Sequence, residues 1–266
     1  MLLPINKNGF VVNKGNKDKI QPKFRKLVRD TKQACVKFFG KSIYSFYVRG
    51  SISVGKAISG FSDIDCVLVL NREVTKNDRK WLIDLTKTLE QKHPEITGVD
   101  LTALSLDKLL YSREYKNLRV FVKTQSALLC GSNVLKYLPS VKPGRELALY
   151  MYGDVIEELR KLLTIFKTGK VGTYLDRKRP IKFWCVWTCR TILRSSLSFS
   201  MVEKPVYTSD LIECKKIFEE KYPEFKHEME KVLYWAANPT NDRKAFSMFL
   251  IDFIPKYAKL WMKFRE

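Results

Sequence analysis

Asp63 and Asp65 stand one residue apart at the head of the apolar run IDCVLVL (64–70), directly after a stretch rich in Gly and Ser, GSISVGKAISGFS (50–62). If the run is a strand, its side chains alternate and the two carboxylates point to the same side. Like charges so close together repel unless a cation lies between them. Oxygen-only ligands suit Mg²⁺, which takes one or two protein carboxylates and fills its octahedron with phosphate oxygens and water. Mn²⁺ is the other ion that suits such a set.

Gly50 and Ser51 close the strand before this stretch. A glycine there lets the backbone approach a triphosphate, and the turn adds N–H groups and a hydroxyl. Metal and phosphate sites would then face each other, with Arg49, Lys56 or Arg190 as the cation for the triphosphate. Asp100, in ITGVDLTAL (96–104), offers a third carboxylate from a neighbouring strand. Its expected job is to complete the site of a metal that holds an acceptor oxygen; the alternative is a general base that takes the acceptor's proton.

These residues need a sheet to hold them. Val28–Phe39 has helical spacing after the breaker Pro22, SIYSFYVR (42–49) alternates as a strand, and 64–70 reads as a central strand covered on both faces. Residues 71–78 read as a loop, 79–92 as a helix ending before Pro94, and 96–104 as a strand with Val99, Leu101 and Ala103 on one side. Beyond Leu106 strand signals fade. Helices are expected near 145–167, 179–199, 208–221, 225–236 and 243–264, with a loop over 167–180 and a domain border near Pro139–Gly144.

The composition sets limits. Forty-nine Lys and Arg against 28 Asp and Glu give a net charge of +21, which attracts polyanions. Six scattered cysteines without CxxC spacing read as reduced thiols, and Cys185 with Cys189 lacks partners for a zinc site. No apolar run is long enough to span a membrane and no signal peptide opens the chain, so a soluble cytoplasmic protein is expected. Phe183, Trp184 and Trp187 read as core, and neither His93 nor His227 as catalytic.

The GS turn, the SDID pair (62–65) opening an apolar strand and the later strand carboxylate together resemble the polymerase-β-like nucleotidyltransferase superfamily, through roughly residue 105. The segments QSALLCGSNVLKYLP (125–139) and 183–216 are similar to the C-terminal domain of the streptomycin and spectinomycin (aminoglycoside) adenylyltransferases. The resemblance implies an α+β fold: a small mixed β-sheet nucleotidyltransferase domain (1–140) and a C-terminal helical bundle (141–266) that closes over the nucleotide. It implies transfer of a nucleoside monophosphate, AMP favoured, from ATP or another NTP, with Asp63, Asp65 and Asp100 as metal ligands and catalytic residues. A helical Arg and a Lys help hold ATP in that family; Arg190 falls at the Arg position, Ser209 stands where the Lys belongs, and Lys204 is the substitute. The family's base is typically a Glu, and Asp100 is shorter. The implied acceptor is a small molecule such as an aminoglycoside. Net charge points instead to an RNA or tRNA 3′ end, and a third alternative is an inactive nucleic-acid-binding module on the same scaffold.

Overall fold

The structure, a computed structural model, describes residues 2–60, 62–170, 173–174 and 177–266. Its chain divides into two units, Val11–Val141 and Met1–Phe10 with Lys142–Glu266.

In the first unit, Pro22 opens helix α1 (Pro22–Phe39), its fixed φ suiting the first turn, and the helix stops at Gly40, whose φ is +50°. Phe24, Leu27, Val28, Cys35 and Phe39 form its buried stripe. Strand β1 (Ile43–Arg49) follows, then the single turn α2 (Gly50–Ser53), strand β2 (Ile64–Leu70), helix α3 (Lys76–Lys92) and strand β3 (Val99–Ser105). Thr75 and Asp78 close the start of α3 with a reciprocal capping box, so the helix begins three residues before the apolar spacing alone suggests.

Helices α4 (Leu106–Tyr111) and α5 (Lys116–Thr124) lead to strand β4 (Ser126–Gly131). The sheet order is β3-β2-β1-β4, with β2 parallel to β3 and the β1 pairs antiparallel. Strand β4 corrects the expectation that strands end near Leu106. SALLCG is short and apolar, and a run of that kind carries no period that separates an edge strand from part of a helix.

β2 is central, as its continuous apolar run requires. Ile64, Cys66, Leu68 and Leu70 pack with the α1 and α3 residues Phe24, Leu27, Leu82 and Leu89. Val67 and Val69 face the other way, onto Leu109 of α4 and Val122 of α5. A one-residue slip would exchange these two sets, so the packing fixes the register of the whole sheet.

The second unit is helical: α6 (Arg145–Tyr152), α7 (Val155–Thr168), α8 (Ile181–Ser196), α9 (Leu211–Lys221), α10 (Lys226–Ala237) and α11 (Arg243–Arg265). The expected single helix at 145–167 breaks at Gly153 and Asp154. The loop expected over 167–180 lies partly outside the described residues; within it, strands β5 (Thr173–Tyr174) and β6 (Arg177–Lys178) pair antiparallel. Phe199 anchors the core against Phe218, Tyr257 and Trp261, and Ser195 shares a buried 2.8 Å hydrogen bond with the Tyr257 hydroxyl. Among the described residues no helix is long and apolar enough to cross a membrane. The fold is thus a small mixed sheet with helices plus a helical part.

Candidate active site

Strand pairing, which is non-local, assembles the site. Antiparallel pairing of β1 with β2 sets Arg49 opposite Asp65, and parallel pairing of β2 with β3 sets Asp65 beside Asp100. The row continues to Ser126 of β4 on the far side of Arg49. The pleat then chooses the face: Asp65 shares its face of the sheet with Val67 and Val69, Asp100 with Leu104, and Arg49 with Tyr47, all on the side where α4 and α5 pack. Arg49 accordingly lies over the Phe121 ring of α5, 5.8 Å from its centroid.

Neighbouring strands run about 4.8 Å apart, so the Asp65 and Asp100 carboxylates are forced into repulsion unless a positive charge joins them. Arg49 supplies it. Its Nη2 lies 2.8 Å from Asp65 Oδ1 and 3.8 Å from Asp100 Oδ2, with all three side chains about four-fifths buried, at 19–22% exposure. Thr102, two residues along β3 and on the same face, donates its hydroxyl to Asp100 Oδ1 at 3.3 Å. Behind the row, burial pushes the Cys66 thiol well up, and the Cys35 thiol and the Asp65 and Asp100 carboxylates beside it push it further. It therefore stays a neutral packing residue.

Gly50 joins this row to the turn α2. Its φ is +71°, a conformation costly for other residues, and a Cβ there would stand 2.7 Å from Asp65 Oδ2. The turn is pinned from below: Gly50 N–H donates to the Gln125 carbonyl at 3.1 Å, and the Ser53 hydroxyl lies 2.9 Å from the carbonyls of both Gly50 and Gln125. Gly50 thus spends its own N–H on the Gln125 carbonyl. Ser51 is half-buried, and its carbonyl accepts the Lys56 N–H at 2.8 Å while the Lys56 side chain is exposed.

Asp63 is half-buried and sits one residue ahead of β2, so the pleat that aligns Asp65 with Asp100 does not reach it. Among the described residues no three His, Cys, Asp or Glu side chains gather to hold a metal ion. Two do converge: Asp65 and Asp100 direct oxygens at one cationic nitrogen. Two carboxylates are also as many as Mg²⁺ usually takes from a protein. The donor set fits that ion, with Arg49 standing where a cation is needed.

In the helical unit Arg190 is half-buried on α8, and Lys204 is exposed, 3.7 Å from Glu220. Glu157 pairs with Lys161 at 2.7 Å on the surface, whereas Glu158 accepts the Trp187 indole N–H at 3.2 Å.

Residues 28–122 match the nucleotidyltransferase domain family, a segment holding Arg49, Gly50, Ser51, Asp63, Asp65 and Asp100. The chain carries a domain of that class, in the polymerase-β-like superfamily, and is an enzyme of nucleotidyltransferase type. No curated protein matches it in sequence. Among solved structures it is similar in fold to the spectinomycin adenyltransferase AAD(9) from Enterococcus faecialis, crystallised with ATP and spectinomycin. The TM-score is 0.58 at 11% identity, over 88% of this chain and 98% of that one.

Proposed function

We propose that this enzyme moves AMP from ATP to a hydroxyl of a small-molecule acceptor, with Asp65 and Asp100 holding Mg²⁺ or Mn²⁺. One observation carries the reading: the register-paired carboxylates of Asp65 and Asp100 converge on one cation beside Gly50. The acceptor oxygen bonds to the α-phosphorus, the bond from that phosphorus to the bridging oxygen breaks, and pyrophosphate leaves with the electron pair. A bound divalent ion supplies a lowered acceptor pKa and offsets charge on the departing pyrophosphate.

The chain's own residues do the rest. Ser51 and the N–H groups that follow Gly50 hold the triphosphate. Lys56, exposed beside them, offsets its charge. Asp63 is a further acid for the metal or its water. Asp100 completes the metal site or takes the acceptor's proton. Residues 1–140 provide this machinery. Six free cysteines fit a reducing, cytoplasmic setting.

The neighbour crystallised with ATP and spectinomycin supports ATP and a small acceptor. An aminoglycoside must enter against a net charge of +21, and only Glu158 of the two α7 acids described above is turned toward another helix. A second reading, an RNA 3′ end as acceptor, is favoured by an open groove of about 500 Å³ lined by Lys14, Lys17, Lys19, Asn13, Asn133 and Ser126. Labelling with α-labelled ATP tests both: small-molecule and RNA pools are offered separately, and label in neither pool contradicts the proposal.

A further inference from the structure

We infer that Arg49 is a built-in counterion that keeps divalent metal out of the site until nucleotide arrives. This rests on the metal role proposed for Asp65 and Asp100. Arg49 Nη2 bridges the two carboxylates, at 2.8 and 3.8 Å. A divalent ion drawn to the same oxygens must either share them with a guanidinium or displace it. Both are unfavourable, because like charges repel most strongly where water is scarce. The strand register leaves Arg49 no other row: it is the β1 residue opposite Asp65, with the Phe121 ring on its flank.

A triphosphate changes that balance. Arg49 directly precedes the Gly50–Ser51 turn, and its planar fork suits phosphate oxygens as well as carboxylates. As the guanidinium turns to the phosphates, the carboxylates lose their counterion and the metal takes it over. Metal and nucleotide then bind with positive coupling, and Arg49 carries that coupling. By linkage the effect is reciprocal, so metal must also tighten nucleotide.

The test is Mn²⁺ titration of the full chain, following free Mn²⁺ by electron paramagnetic resonance, with and without α,β-methylene-ATP, which cannot release pyrophosphate. Arg49→Gln keeps a hydrogen-bond donor and similar length while removing the charge. It should bind Mn²⁺ about tenfold more tightly than wild type without nucleotide, within the range usual for coupled sites. The analogue should tighten Mn²⁺ in wild type and much less in the variant. Arg49→Lys, which keeps a point charge but loses the fork, should show a smaller gain, and it serves as the measurement if Arg49→Gln does not fold. Equal nucleotide-free affinity in wild type and both variants would overturn the inference while leaving the metal reading standing. If Asp65→Asn and Asp100→Asn bind Mn²⁺ as tightly as wild type, the metal reading itself fails and takes the inference with it.

Discussion

Gly50 lacks a side chain where Asp65 needs the room: a Cβ on Gly50 would stand 2.7 Å from Asp65 Oδ2. Positive φ at Gly50 and the close carboxylate are separate constraints on one position, and they separate by substitution. Gly40 also has positive φ, +50°, but nothing lies within 4 Å of its would-be Cβ. Both Gly50→Ala and Gly40→Ala should lose roughly 1–3 kcal/mol for an alanine held at positive φ, read as a lower thermal midpoint. Only Gly50→Ala should also lose transferase activity, because only there does Asp65 have to move. Equal activity in the two variants would contradict the role given to this contact.

Asp78 makes stability depend on acid. The Arg72 guanidinium, 2.6 Å away, holds its carboxyl down at about 2, helped by the Thr75 N–H of the capping box. The folded value lies below the unfolded value of about 3.9, so the stabilisation is complete above that value and disappears as pH falls through about 2. Asp78→Asn should therefore be less stable than wild type by about 1–2 kcal/mol near pH 6, counting cap and ion pair together. The two should converge near pH 2. Denaturant unfolding at pH 6, 4 and 3 checks this; a constant difference across that range would count against it.

The parts of this architecture legible in sequence are those set by local pattern. IDCVLVL declares a strand buried on both faces, and the alternation of Val99, Leu101 and Ala103 places Asp100 on the opposite side. Pairing is not local, and so the alignment of Arg49 with Asp65 and of Asp65 with Asp100 could not be read from spacing. The same limit hid Gln125, whose carbonyl captures Gly50 N–H across a long stretch of chain, and Thr102, whose bond to Asp100 depends on which face β3 shows. Strand β4 escaped because an edge strand needs neither a long apolar run nor a strict alternation.

Asp100 separates two mechanisms. As a metal ligand, it should not tolerate a longer side chain, since Mg²⁺ demands near-ideal octahedral geometry. Asp100→Glu should then lose roughly 10- to 100-fold in turnover, the range seen when a metal's surroundings are disturbed. Mn²⁺ should restore part of that loss, and Asp100→Asn should be worse in either ion. As a base limited by reach, Asp100→Glu would match or exceed wild type in Mg²⁺. Single-turnover transfer at saturating ATP decides between them.

The central claim is that Asp65, held between Arg49 and Asp100, is required for nucleotidyl transfer and not for folding. Asp65→Asn keeps volume and removes the charge; it gives up the 2.8 Å pair with Arg49 and relieves part of the repulsion against Asp100, and with Arg49 still beside Asp100 its thermal midpoint should stay within a few degrees of wild type. The direct measurement is transfer of label from α-labelled ATP in Mg²⁺ to whichever acceptor pool wild type labels, run on wild type and Asp65→Asn at matched concentrations of folded protein. The account predicts labelled acceptor and pyrophosphate release from wild type, and at least about a hundredfold less from Asp65→Asn, in line with loss of a metal's charge stabilisation. Near wild-type labelling by a folded Asp65→Asn enzyme would contradict it.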